Sequence, residues 1–151
     1  MPRGTRRLPA PCVEQLGAAD LILHAGDFSA GSVLAELELL GPALGVHGNV
    51  DDEVLRRTLP AERIVEAEGA RIAMVHDAGP ASGRLARMRA RFPNADAVVF
   101  GHSHIPLHEE GEGLQLFNPG SPTERRRAPA HTMGMARVAS GGVTFELLTL
   151  P

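Results

Sequence analysis

Four short apolar runs in this chain each break off in a polar cluster, and that repeated punctuation constrains the fold more than any other feature of the sequence. The run from Asp20 to Ala25, with Leu21, Ile22 and Leu23, leads into Gly26-Asp27, and the run from Ala43 to His47 leads into Gly48-Asn49-Val50-Asp51. Arg71 to His76 leads into Asp77-Ala78-Gly79-Pro80, and Ala97-Val98-Val99-Phe100 into Gly101-His102-Ser103-His104. A continuous apolar run of this length, bounded by turn residues, reads as a strand buried on both faces. Helical spacing intervenes: Val33, Leu34, Leu37 and Leu40 predict a helix from Gly31 to Leu40 that Gly41-Pro42 stops, and Leu85, Met88 and Phe92 predict another from Arg84 to Phe92. Pro11 starts a short helix ending near Gly17, and Asp51 or Asp52 caps one running to about Thr58. Ile64–Ala67 and Arg71–His76 read as a hairpin around Glu68-Gly69-Ala70, and Leu114–Phe117 as a further β run. A second hairpin joins Met133–Ala139 to Val143–Leu150. Mixed βα alternation followed by hairpins predicts one α/β domain over residues 1–151 with some antiparallel strands. Ligand sites in such sheets form beyond the carboxyl ends of strands, where all four polar clusters fall.

Composition narrows the function classes. Apolar residues make up 43% of the chain and charged residues 22%, and no apolar run approaches the ~18 residues of a membrane span, so no membrane partner is expected. All 15 basic residues are arginine, and against 18 acids they leave a net charge of −3, which offers no global field for nucleic acid or anionic lipid. Without Trp or Tyr the chain also lacks an aromatic platform for stacking bases, so nucleic acid is not an expected partner. The one cysteine, Cys12, cannot form an internal disulfide, which fits a reducing compartment and a cytoplasmic protein. Residues 1–10 are basic and rich in proline where an export signal needs an apolar stretch.

The candidate site residues are Asp27, Asn49, His76, His102 and His104: one carboxylate, one amide oxygen and three imidazoles. Mixed oxygen and nitrogen donors suit divalent transition metals and match poorly an all-oxygen magnesium or calcium cage. A carboxylate bridging two ions can position them to clamp the oxygens of a phosphate and acidify a bound water, which is the chemistry of phosphoester hydrolysis.

In this order and at these intervals, Gly26-Asp27, Gly48-Asn49-Val50-Asp51, His76 and Gly101-His102-Ser103-His104 resemble the calcineurin-like metallophosphoesterase family. The likeness is strongest to its small bacterial and archaeal phosphodiesterases and extends over essentially the whole chain. It implies an α/β fold in which two mixed β-sheets form a sandwich flanked by helices. It implies that Asp27 bridges two metals, that Asn49, His76 and His102 complete one site, and that His104 belongs to the other. The implied activity is hydrolysis of a small-molecule phosphodiester or phosphomonoester through a dinuclear site and metal-bound hydroxide, with Asp27, Asn49 and His102 catalytic. Mn²⁺ or Ni²⁺ is the first expectation for the metal, with Zn²⁺ or Fe²⁺ next. The alternative is a non-catalytic interaction scaffold, a role the superfamily fills in a retromer subunit.

Departures from the family pattern carry expectations of their own. No Asp-x-His precedes Asp27, which leaves one metal site short of ligands and puts the activity of the chain in question. The reading adopted is that Met1 is an internal methionine and that a strand ending in Asp-x-His is encoded just upstream. Without the first strand, sheet edges would be left open, which predicts reduced stability or self-association as a homo-oligomer. Val50 stands where larger members carry histidine, and His76-Asp77-Ala78 replaces His-Gly-His, leaving the role of Asp77 open. His24 and His47 read as core residues or as partners behind a ligand, and His108 and His131 as surface or hairpin residues. Asn118-Pro119-Gly120-Ser121 resembles a family loop near the site but also reads as a plain turn. Arg125, Arg126 and Arg127 read as a solvated loop, with phosphate binding as the other option. Arg84, Arg87 and Arg91 read as the outward face of a helix.

Overall fold

A computed structural model of the protein describes residues 7–28 and 31–151. The chain runs through α1 (Ala10–Ala18), β1 (Ile22–His24), α2 (Gly31–Leu40), β2 (Ala43–Gly45) and α3 (Glu53–Thr58). It continues through β3 (Glu62–Ala67), β4 (Ala70–Val75), α4 (Arg84–Arg91) and β5 (Ala97–Val99), then β6 (Leu107–Gly111), β7 (Leu114–Asn118), β8 (His131–Ala139) and β9 (Gly142–Leu150).

The largest sheet has the order β3-β4-β5-β7-β6. Its three inner strands are parallel, and β3 and β6 pair antiparallel at the two edges. The hairpin between β3 and β4 turns through Glu68 and Gly69, both at positive φ, as a tight turn compatible with strand twist requires. On one face of this sheet α4 lays Met88, Leu85 and Phe92 against Ala73, Val98 and Leu116. Against the other face lie two separate ribbons. The parallel pair β1–β2, with Ile22 opposite Ala43, contributes Leu23 and Leu44, and the antiparallel pair β8–β9 contributes Val138, Val143 and Phe145. These meet Ile72, Met74, Ala97 and Val99 of the central sheet. Outside the ribbons, α2 and α3 pack Leu37 and Leu55 around Phe28, and α1 packs Cys12 against Met133 and Leu150. The layers are therefore helix, sheet, ribbons, helix, which is the sandwich that the family resemblance implies, with its second layer divided into two two-stranded ribbons.

Three details differ from the sequence expectation. The strand β6 is new: Leu107-His108-Glu109-Glu110-Gly111 has one strong apolar residue, and the segment is a strand because it pairs with β7 at the sheet edge, where polar residues deter further pairing. β1 is three residues long, because only Ile22–His24 pair with β2. The arginines of α4 do more than face water. Arg84 and Arg87 donate to the carbonyls of Gly79 and Ala78, stapling the loop before the helix, and Arg91 pairs with Glu62.

What matters for function is where the strands stop. β1 and β2 run parallel in one layer, β4 and β5 run parallel in the other, and all four lead out toward the same rim, where the two layers meet.

Candidate metal centre

Each layer delivers two side chains to that rim: Asp27 and Asn49 follow β1 and β2, and His76 and His102 follow β4 and β5. His76 is central. Its Nε2 lies 2.8 Å from Asn49 Oδ1, 3.2 Å from Asp27 Oδ2 and 3.3 Å from His102 Nδ1. His102 Nδ1 is in turn 3.2 Å from Asn49 Oδ1. Ligand atoms of Asp27, His76 and His102 all fall within 4.8 Å of one another.

The hydrogen bonds behind these groups decide what the cluster can hold. His76 Nδ1 lies 2.7 Å from the Ala25 carbonyl, which only accepts, so this nitrogen carries the proton and donates. In the neutral ring Nε2 is then a bare lone pair, aimed at a carboxylate oxygen, an amide oxygen and another imidazole nitrogen. With the His102 proton on its other ring nitrogen, four acceptors converge and repel one another unless a cation lies among them, and a divalent metal ion of borderline softness suits this donor set. A proton is the substitute: burial disfavours a charged His76, but the hydrogen bonds to Asp27 and the Ala25 carbonyl and the charges of Asp27 and Asp51 together raise the imidazole above its ordinary value. Burial likewise opposes ionisation of Asp27, yet hydrogen bonds from His76 and the Val50 N–H hold its carboxyl well below the usual carboxylate range.

The backbone here is bent into conformations that L-residues avoid. Asp27, His102 and His104 have φ of 62°, 69° and 61°, in the left-handed region, where non-glycine residues persist only if their surroundings impose it. The surroundings are specific. Asp51 is buried, and its Oδ2 accepts from the N–H of Asp27 at 3.0 Å and of Gly48 at 2.7 Å, tying the two strand ends together. A Cβ on Gly48 would overlap the Asp27 carboxylate, and one on Gly26, itself at φ 100°, would stand 2.7 Å from His76 Nδ1. On the other layer the fully buried Asn118 donates to the Gly101 carbonyl (3.0 Å) and to Ser103 Oγ (3.2 Å), holding the turn that carries His102.

The structure gathers four of the five sequence candidates, Asp27, Asn49, His76 and His102. His104 stands apart from that cluster: it is buried, and its Nδ1 donates to the Glu124 carbonyl at 2.6 Å. Burial and the charge of Arg126 lower its pKa, favouring the neutral ring. Ser121 Oγ accepts from the Glu124 N–H, so the Asn118-Pro119-Gly120-Ser121 segment braces both histidine positions and is more than a plain turn. Sequence reasoning missed the bracing by Asp51, reading it only as a candidate helix cap; Asp52 caps α3 by accepting from the Leu55 N–H. His24 stacks on Phe28 and accepts from the Gly26 N–H, a supporting role close to the one expected. Asp77 accepts from the Gly79 N–H in a local turn. Of the arginine run, Arg126 reaches the site and donates to the His102 carbonyl at 2.6 Å.

Comparison with known proteins agrees with this geometry. Residues 4–141 match the calcineurin-like phosphoesterase superfamily domain. The chain is 34% identical over 128 residues to a probable metallophosphoesterase of Methanothermobacter thermautotrophicus, covering 83% of this chain and 74% of that protein. Its fold is similar to that of Entamoeba histolytica Vps29 solved in complex with Zn²⁺, with a TM-score of 0.77 at 17% identity over 99% of this chain and 93% of the other. It is also similar to an archaeal phosphodiesterase, with a TM-score of 0.70 at 20% identity over 91% of this chain and 90% of the other.

Proposed function

Because the chain belongs to the calcineurin-like phosphoesterase superfamily, we propose that it hydrolyses a small-molecule phosphodiester or phosphomonoester at a dinuclear metal site. The observation that carries this reading is the convergence of the Asp27, Asn49, His76 and His102 acceptors on one point. In this reading Asp27 is the shared carboxylate, Asn49, His76 and His102 hold one ion, and His104 serves the other. Mn²⁺ or Ni²⁺ is the preferred metal, with Zn²⁺ or Fe²⁺ next. Divalent ions bound there would acidify water and offset the charge of a phosphoryl group.

The chain's own residues supply the rest. The Ala25 and Glu124 carbonyls fix the tautomers of His76 and His104, so each presents Nε2 as a neutral ligand. Asp27, whose carboxylate accepts from the Val50 N–H, is the anionic group of the set. His102 is half-buried, at the open side of the cluster where a substrate would arrive. Arg126, anchored on the His102 carbonyl, brings a guanidinium beside it that suits phosphate oxygens. The single cysteine, buried with its thiol pushed up to about 11 by that burial, fits a protein of the reducing cytoplasm.

The likeness to Vps29 favours a second reading, a metal-binding scaffold without hydrolysis. Hydrolysis of bis(p-nitrophenyl) phosphate with Mn²⁺ or Ni²⁺ separates the two, read together with metal binding by calorimetry. The enzyme reading expects turnover that falls at least about tenfold in His102→Ala, in line with the loss of a metal-site group. Equal turnover in the folded variant overturns it, and bound metal with no turnover favours the scaffold.

A further inference from the structure

Most of the arginines that reach the loops around the metal centre are tied to backbone carbonyls. Arg56 donates through Nε to Asp51 and through Nη2 to Asn49, fastening the loop after β2. Arg84 and Arg87 hold the carbonyls of Gly79, Ala78 and Pro80 in the loop after β4. Arg125 reaches those of Ala128 and Pro129. Arg126 is different. A guanidinium has five N–H donors, and Arg126 uses only its Nη1, which donates to the His102 carbonyl at 2.6 Å. Among the described residues no carboxylate pairs with it, although the side chain is exposed and free to meet one.

The turn that carries Arg126 is built without its side chain. The Ala128 N–H donates to the Arg125 carbonyl at 2.8 Å, and Arg125 staples the same turn through Nη1. Arg126 occupies the first central position at φ 48°, in the left-handed region that glycine and asparagine adopt more readily. An arginine therefore stands where its own backbone would favour glycine, and no internal ion pair accounts for it. Two contacts locate its charge: the anchor on the His102 carbonyl, and its influence on the ring of His104. The guanidinium lies beside the open side of the cluster with most of its donors unused.

What such a group selects follows from phosphate chemistry. During phosphoryl transfer the charge spreads over three equatorial oxygens, while the attacking and leaving oxygens lie in line. In a monoester all three are terminal and anionic, whereas in a diester one of them carries the second organic substituent. On the dinuclear hydrolase reading, on which this inference rests, two of these oxygens have an ion each, and a third terminal oxygen needs a further cationic donor. The ribbon side of the site has none to spare: Arg56 is tied to its loop, and Val50, whose N–H bonds the Asp27 carboxylate, is an exposed apolar residue. A guanidinium suits the task, because its bonds to anionic oxygens are charge-assisted and its fork matches phosphate. We propose that Arg126 contacts the substrate directly, takes the third terminal oxygen of a phosphomonoester, and so makes the chain act on phosphomonoesters in preference to phosphodiesters.

The test uses the full chain loaded with Mn²⁺ and two unreactive probes: inorganic phosphate at pH 8, mostly a dianion, and dimethyl phosphate, a monoanion with two terminal oxygens. Calorimetry reads the affinity for Mn²⁺ and then for each probe. Arg126→Gly should weaken inorganic phosphate by about tenfold or more, as the loss of a charge-assisted hydrogen bond does, and dimethyl phosphate by less than about threefold. Arg126→Lys, which keeps the charge without the fork, should recover part of the loss. Mn²⁺ affinity should not change, and the urea midpoint should stay level or rise, because glycine suits φ 48°. A residue that merely held the His102 turn would weaken Mn²⁺ binding instead. Arg127→Ala, exposed and one position on, should leave both probes within about twofold, which separates a contact from a general field.

Turnover supplies the second readout, with p-nitrophenyl phosphate against bis(p-nitrophenyl) phosphate, whose nitrophenolate leaves without needing a proton. The parent should show the higher kcat/KM on the monoester, and Arg126→Gly should cut that value about tenfold more than the value on the diester. Higher kcat/KM on the diester in the parent, equal losses on the two probes, Mn²⁺ binding that weakens together with phosphate, or a matching loss in Arg127→Ala each overturns the proposal. The two levels separate cleanly. A parent that binds no Mn²⁺, or hydrolyses neither ester, overturns the hydrolase reading and this inference with it. A parent that hydrolyses both esters, with the same selectivity in Arg126→Gly, overturns this inference alone.

Discussion

At the residue scale, a handful of groups are placed where their solution preferences are reversed. His24 is one. Its ring stacks on Phe28 with centroids 3.7 Å apart, and its Nδ1 accepts from the Gly26 N–H at 3.1 Å, an arrangement only the neutral ring can make. Burial pushes its pKa down to about 3 from 6.5. The unfolded chain therefore takes up a proton near pH 6.5 that the folded chain refuses until about pH 3. The stability contributed by neutral His24 is complete above 6.5 and drains away as the pH falls through that window. His76 runs the other way, since its raised pKa adds stability that is lost as the pH rises. Comparing the protein with His24→Asn, which keeps an acceptor near Nδ1 and removes the titration, isolates the first effect. Urea unfolding at pH 7 and pH 4.5 should show the variant spared a loss on the order of 2 kcal/mol that the parent suffers. Equal losses would remove His24 as the source.

At the element scale, the site depends on loops being held in place beyond short strands, and the buried Asn118 holds the one after β5. Its amide donates to Gly101 and Ser103, and its oxygen accepts from the Gly120 N–H at 3.0 Å. Asn118→Ala leaves those groups without their partner and frees the turn in which His102 and His104 sit at positive φ. The expected outcome is a 10- to 100-fold weaker Mn²⁺ affinity by calorimetry, with about 1–3 kcal/mol less stability and unchanged far-ultraviolet dichroism. Unchanged affinity would show that the histidines hold their turn without it. This pairing also marks the limit of what the sequence reveals. The run Gly31–Leu40 is a helix over those same residues, and the strands that end at Asp27, Asn49, His76 and His102 are legible because buried apolar runs stop at glycine or at a polar cluster. Asp51 and Asn118 are another matter. They bond to backbone groups 24 and 17 residues away, and a contact of that kind leaves no spacing pattern to read. β6 escapes for a related reason, since its strand character comes from β7 and not from its own half-polar residues.

At the scale of the whole molecule, the donors are shared between layers: Asp27 and Asn49 come from the ribbon side, His76 and His102 from the central sheet. An ion bound among them ties the layers together at the rim, and in the unfolded chain these four residues, spread from 27 to 102, form no site. Binding energy therefore adds to folding stability. With free Mn²⁺ at 100 times its dissociation constant, stability should rise by about 2.7 kcal/mol, which in a domain of this size raises the melting temperature by roughly 5–10 °C. The rise should grow with the logarithm of metal concentration and vanish on adding EDTA. It should shrink most in Asp27→Asn and His102→Ala, and it should persist in Arg127→Ala, whose exposed side chain lies outside the cluster. A shift of equal size in all three variants would place the bound ion elsewhere on the molecule, and no shift at all would mean that the four converging acceptors are held together by a proton alone.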